Sequence, residues 1–159
     1  ISACLVGSEM CIRDRYWHAY ALGRYSQGIS VAKALAQGLG GKVKESLEKA
    51  IALSPKHADA RIALGAFHAE VIDKVGSLIG GMTYGAKKDT GLKLFQEALK
   101  LNPGSAIAMI EYANALVMLE GDKKMKEATA LYEKAATAEP MDAMERLDVE
   151  MARAELEEE

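Results

Sequence analysis

ESLEKAIALSP at 45–55, KLFQEALKLNP at 93–103 and ALYEKAATAEP at 130–140 are three copies of one pattern. Each has a bulky apolar residue, an alanine three positions on and a proline five beyond that: Leu47, Ala50, Pro55; Phe95, Ala98, Pro103; Tyr132, Ala135, Pro140. A three-residue step keeps the first two on one face of a helix, and a residue as small as alanine admits a neighbouring helix closely. Proline lacks an N–H and clashes with the turn before it, so each helix ends just ahead of it. The pattern predicts helical hairpins that bury their faces on one another.

Working outward, each of these helices needs a companion. Leu64 and Gly65 stand nine and ten residues after Pro55, and Tyr112 and Ala113 hold the same places after Pro103. Trp17, Tyr20, Leu22 and Gly23 fill the first companion. Seven helices are predicted, over roughly 16–37, 42–53, 57–79, 87–101, 105–119, 123–137 and 142–157, and no strand. Asp122 and the Ser105 region offer helix caps. The last helix carries Met144, Leu147, Met151 and Ala154 as an apolar stripe, expected to seat it as a cap, with a polar outer face toward solvent.

The prolines are 48 and 37 residues apart, so the copies are uneven. The larger surplus is VIDKVGSLIGGMTYGAKKDT at 71–90, with glycines at 76, 80, 81 and 85. It is expected to extend a helix and then become a flexible crossing loop, packed on the stack in preference to acting as a mobile lid. A second surplus surrounds GLGGK at 38–42.

These paired motifs resemble tetratricopeptide repeats, whose period is about 34 residues, over most of residues 16–140. The resemblance implies an all-α, right-handed α-α superhelix, with repeats at about 16–56, 57–104 and 105–140 and a cap at 141–159. The order Trp17, VKESLEKAIALSP, ADARIALG, an insert ending TYG and then LKLFQEALKLNP is similar to the tetratricopeptide-like family that includes the regulators of microtubule dynamics. That likeness implies an interaction scaffold and not an enzyme; microtubule binding is not carried over. Residues 5–15, LVGSEMCIRDR, resemble a translated sequencing-library adaptor. Residues 1–15 are accordingly expected to be non-native, in a bacterial, metagenomic reading frame whose own start is missing, and the compartment stays open between cytoplasm and bacterial periplasm.

Composition narrows the function classes. The net charge is −3 over 159 residues, and the pI of about 5.7 argues against nucleic acid, whose readers are basic. Apolar runs such as AIAMI are far shorter than the roughly 20 residues of a membrane span. Both cysteines, Cys4 and Cys11, lie in or beside the adaptor-like stretch. No metal or cofactor is expected: His57 and His68 are eleven residues apart on one helix, about 16 Å, and no zinc-type spacing occurs. GLGGK lacks the flanking residues of a phosphate loop, since Ala36 and Val43 stand where Gly and Ser/Thr are needed. The serines show neither a nucleophile elbow nor an acid partner.

What remains is a groove. If Leu64 and Gly65 face a partner helix, the offset face of the same helix carries Asp59, Ile62, Ala66, Glu70 and Asp73. The next copy offers Ile107, Ile110, Glu111, Asn114 and Met118. Such a mildly acidic concave surface suits a protein or peptide partner with basic side chains. The basic residues with which chaperone-binding tetratricopeptide proteins grip a terminal carboxylate are missing, and of their paired asparagines only Asn114 has a counterpart. Two other readings stay open: an accessory subunit of a bacterial envelope transport or assembly system, and a ligand-binding helical domain using the Gly-rich insert. Self-association is a further expectation.

Overall fold

A computed structural model of the chain describes residues 9–158. Among them are eight α-helices and no strand: α1 (Glu9–Gln27), α2 (Val31–Ala36), α3 (Leu39–Leu53), α4 (Ala58–Tyr84), α5 (Lys88–Leu101), α6 (Ala106–Glu120), α7 (Met125–Ala136) and α8 (Ala143–Glu158). A 3-10 turn, Gly121–Lys124, leads into α7. Helices α1 and α3, α4 and α5, and α6 and α7 form three close pairs. Each pair then packs on the next through α3 with α4, α5 with α6 and α4 with α6, and α8 closes the far end against α6 and α7.

The repeated alanines hold the pairs together. Ala50, Ala98 and Ala135 are each 0% exposed, and Leu47 and Phe95 are buried beside theirs. Gly65 lies so close to Phe95 that a Cβ there would come within 2.8 Å of the ring. Pro55, Pro103 and Pro140 all follow the helices they end and are exposed. Three apolar clusters run along the stack: one around Leu47 and Leu64, one around Phe95 and Tyr112, and one around Ala135, Val149 and Ala152. Side-chain caps fix some of the helix starts; α7, where Asp122 was expected to cap, has none. The Ser105 hydroxyl accepts from the Ala108 amide at 3.3 Å, and the Asp142 carboxylate accepts from the Glu145 amide at 2.9 Å.

Several boundaries differ from expectation. The first predicted helix is two, because Gly28, Ile29 and Ser30 break it and the Ser30 hydroxyl caps α2. Residues 9–15 of the adaptor-like stretch are the opening turns of α1; residues 5–8, Cys4 and Glu159 lie outside the described residues. Helix α3 starts at Leu39 and not near 42, so GLGGK forms its first turn, with Gly38 as a left-handed cap at φ 62°.

The insert is helical where a loop was expected. Helix α4 continues to Tyr84, broken only at Gly76, whose φ of 81° and ψ of 158° are non-helical. The rings of Phe67 and Tyr84 are 6.3 Å apart, whereas a straight helix would separate them by about 25 Å. Gly80 likewise returns to Val71, with 3.0 Å between a built Cβ and the valine. Gly76 therefore reverses the chain, and residues 77–84 fold back onto the helix they leave. Tyr84 packs over Gly40, and the Lys87 amide donates to His68 Nδ1 at 3.2 Å. Leu78, Ile79 and Met82 stay exposed on the outside.

The cap is rotated as well. Helix α8 buries Val149 and Ala152, with Leu156 half-buried, while Met144, Leu147 and Met151 face solvent. Both rows have helical spacing, so periodicity alone does not choose between them. The short Ala152 fits where α8 approaches its neighbours closely, and methionines there would not.

Candidate binding groove

Helices α4, α6 and α8 lie side by side, each touching the next, and α1 joins them where the Gln27 amide donates to Glu70 Oε1 at 2.9 Å. Glu70 on α4 also pairs with Lys74 at 3.4 Å. On α6 the half-buried Glu111 forms no hydrogen bond or ion pair. Burial pushes its carboxyl up from the usual range, the charges of Glu70 and Asp148 push it further, and Arg24 on α1 opposes them in part. Asp148 on α8 is raised too, first by burial and then by Glu145 and Asp142. Carboxylates on α4 and α8 thus act electrostatically on Glu111 of α6, with Arg24 as the cation that opposes them.

A pocket of about 260 Å³ lies between α6, α7 and α8. Asn114, Met118, Met125, Tyr132 and Leu156 line it, with Glu155 at its rim. The Tyr132 hydroxyl donates to Asn114 Oδ1 at 2.7 Å, which fixes the amide in the wall.

The expected groove residues divide. Glu70 acts on Glu111, and Asn114 and Met118 share that pocket. Ile62 does not belong to the groove: it is 6% exposed in the Phe95 cluster, against which Ala66 also packs. Ile110 is buried and Ile107 half-buried in the same way. The reason is that α3, α5 and α6 cover α4 from three sides, so its apolar face must be wider than one row. Asp59 lies elsewhere, beside Tyr16, Trp17 and His57 in a separate pocket. Asp73 is exposed.

The sequence reading missed Arg24, Gln27, Asp148 and Glu155. All four sit on terminal helices whose rotation the repeat pattern does not set. The histidines have structural partners: His57 Nδ1 accepts from the Ala60 amide at 3.2 Å, and His18 Nδ1 meets Ser46 Oγ at 2.8 Å. Burial holds the His68 pKa below its ordinary value. Among the described residues no three His, Cys, Asp or Glu side chains converge as metal ligands. No described helix is long and apolar enough to cross a membrane.

A scan of protein-family models finds no match to the chain, and a search of curated proteins finds none either.

The raised carboxyls give a pH dependence of defined sign. A group whose pKa is higher folded than unfolded binds protons more tightly when folded, so stability falls as pH rises through the raised range. Glu111→Gln should flatten that fall and raise the denaturant midpoint at neutral pH. Urea melts at about pH 5 and pH 7 test this; an unchanged slope would show that Glu111 is not strained by its neighbours.

Proposed function

We propose that the chain is a non-catalytic protein-binding scaffold, tetratricopeptide-like in plan, whose groove along α1, α4, α6 and α8 holds a peptide or helix bearing basic side chains. One observation carries the reading: Glu111 on α6 is raised by burial and by Glu70 and Asp148, with Arg24 opposing them only in part. A bound lysine or arginine would relieve that repulsion and satisfy the carboxylate, and the pocket beside Asn114 would take an apolar neighbour on the same ligand. The expected selectivity is for cationic, amphipathic segments over acidic ones.

The test is fluorescence anisotropy with helical peptides that carry lysines around a central leucine or phenylalanine. Glu70→Lys with Glu111→Lys should weaken binding by about tenfold or more, and raised salt should weaken the wild type. Equal affinity of wild type and double variant would exclude the groove.

A second reading places contact on the Gly-rich insert, for a small ligand or as an accessory subunit of a membrane-associated assembly. The exposure of Leu78 at 74% and Met82 at 83% favours it. Leu78→Ser with Met82→Ser should then remove partner binding while the double glutamate variant keeps it.

A further inference from the structure

The end of the Gly-rich insert is held to the stack by a histidine. His68 of α4 is 3% exposed, and its Nδ1 accepts from the Lys87 amide at 3.2 Å, at the junction of insert and α5. That amide only donates, so Nδ1 is bare and the proton of the neutral ring sits on Nε2. The ring stands edge-on to Phe67 with centroids 5.8 Å apart, and Phe67 in turn meets Tyr84. A Cβ built on Gly91 of α5 would lie 3.0 Å from the His68 Cβ. His68 therefore adjoins the N-terminal turn of α5, whose free backbone amides disfavour a positive charge. From α3, Lys44 and Glu48 act on it with opposite sign and pair with each other at 3.0 Å. At the start of α5 stand Lys87, Lys88 and Asp89, with Lys88 held by Glu120. On α4 the positions three and four away, Leu64, Gly65, Val71 and Ile72, are uncharged. Residues 76–86 carry no charged side chain either, so the insert offers an imidazolium no counter-ion.

We propose that His68 is an acid-released latch on the insert. Protonation puts a hydrogen on Nδ1, so two donors face each other and the bond to the Lys87 amide is lost. The Gly85 and Ala86 amides, which donate to the Gly81 and Gly80 carbonyls at 3.0 and 3.1 Å, belong to the same closing turn and open with it. Tyr84 then lifts from Phe67 and Gly40, which uncovers an aromatic surface that is covered at neutral pH. Burial first, and then Lys44, holds the closed imidazole below its ordinary value of 6.5, with Glu48 opposing. The opened ring returns toward the ordinary value and so binds a proton more tightly than the closed one. Closure is thus strongest above that value and weakens as pH falls through it. His57 has the same chemistry at the start of α4, where its Nδ1 accepts from the Ala60 amide, so only a readout local to the insert identifies the latch.

The experiment is amide hydrogen exchange on the whole chain, read by NMR between about pH 5 and pH 7.5 and corrected for the intrinsic rate at each pH. On acidification the wild-type amides of residues 85–87 should lose protection by about tenfold or more, while those of α6 and α7 keep theirs. His68→Asn places an oxygen near the position of Nδ1, an acceptor that does not titrate, and should keep 85–87 protected throughout. His68→Leu fills the space without an acceptor and should leave them unprotected throughout. Circular dichroism checks folding. Where a variant fails it, the wild type alone decides: the ring nitrogen shifts of His68 should show a bare Nδ1 at neutral pH and titrate with the same midpoint as the loss of protection. Wild-type protection that ignores pH overturns the proposal. So does a loss in His68→Asn that matches the wild type, and so does a His68 midpoint that differs from the midpoint of opening. Equal loss across α5 to α7 overturns it too, because the whole stack and not the insert would then be opening.

Discussion

Phe95→Ala is expected to cost about 3–5 kcal/mol of folding stability, the range for emptying a buried phenylalanine site. The side chain is 0% exposed and its ring stacks on Tyr112 at 5.6 Å, so neighbours on α4 and α6 cannot collapse into the space without leaving their own contacts. Against a typical stability of about 5–15 kcal/mol the loss is large, and the urea midpoint should drop accordingly. The companion change is Gly65→Ala. A methyl there would meet three atoms of the Phe95 ring at 2.8–3.1 Å, and the stacked ring has nowhere to move. Overpacking costs about 1–3 kcal/mol, set against about 1 kcal/mol gained in helix propensity. Gly65→Ala should therefore destabilise, although alanine is the better helix former. Combined with Phe95→Leu, it should cost less than the sum of the single changes, because the shorter side chain frees the space. Strict additivity would show that the two residues do not share a contact.

Gly76→Val is the second large effect. With φ at 81° and ψ at 158°, the residue occupies a region that only glycine enters freely, and a side chain there costs about 1–3 kcal/mol. Valine, branched at Cβ, belongs at the upper end. The loss should be local. Amide exchange should accelerate across 77–86, where Tyr84 would leave Phe67 and Gly40, and change little in α5 to α7. Uniform acceleration would mean that the insert unfolds with the whole stack; no change would mean that the reversal tolerates a side chain.

The repeat made much of this molecule legible. Leu47, Ala50 and Pro55, and their counterparts, announce helices that end at known places and present one small residue to a neighbour. The buried alanines and the 2.8 Å approach at Gly65 follow from that spacing. Glu70 and Glu111 stand at different places in the repeat register, fifteen residues after Pro55 and eight after Pro103, so the register alone did not pair them. Ile62 was misplaced because a row on a helix belongs to groove or core according to how many helices surround it, which periodicity does not count. The insert was read as a loop because glycine is a poor helix former on average; Gly80 and Gly81 are helical here because Val71 and Ala86 pack against that segment.

The sequence by itself determined the all-α composition, the ends of the three helices that stop ahead of a proline and the close-packed face of each of them, because these depend on residues within a few positions of one another. Only the tertiary structure decided the rotation of α8, the reversal at Gly76 and the action of Glu70 and Asp148 on Glu111. Those depend on which surfaces compete for burial after the chain has collapsed, and residues far apart in sequence set the outcome. The opening repeat fixes a way of packing, and the packing in turn selects which charges act on one another.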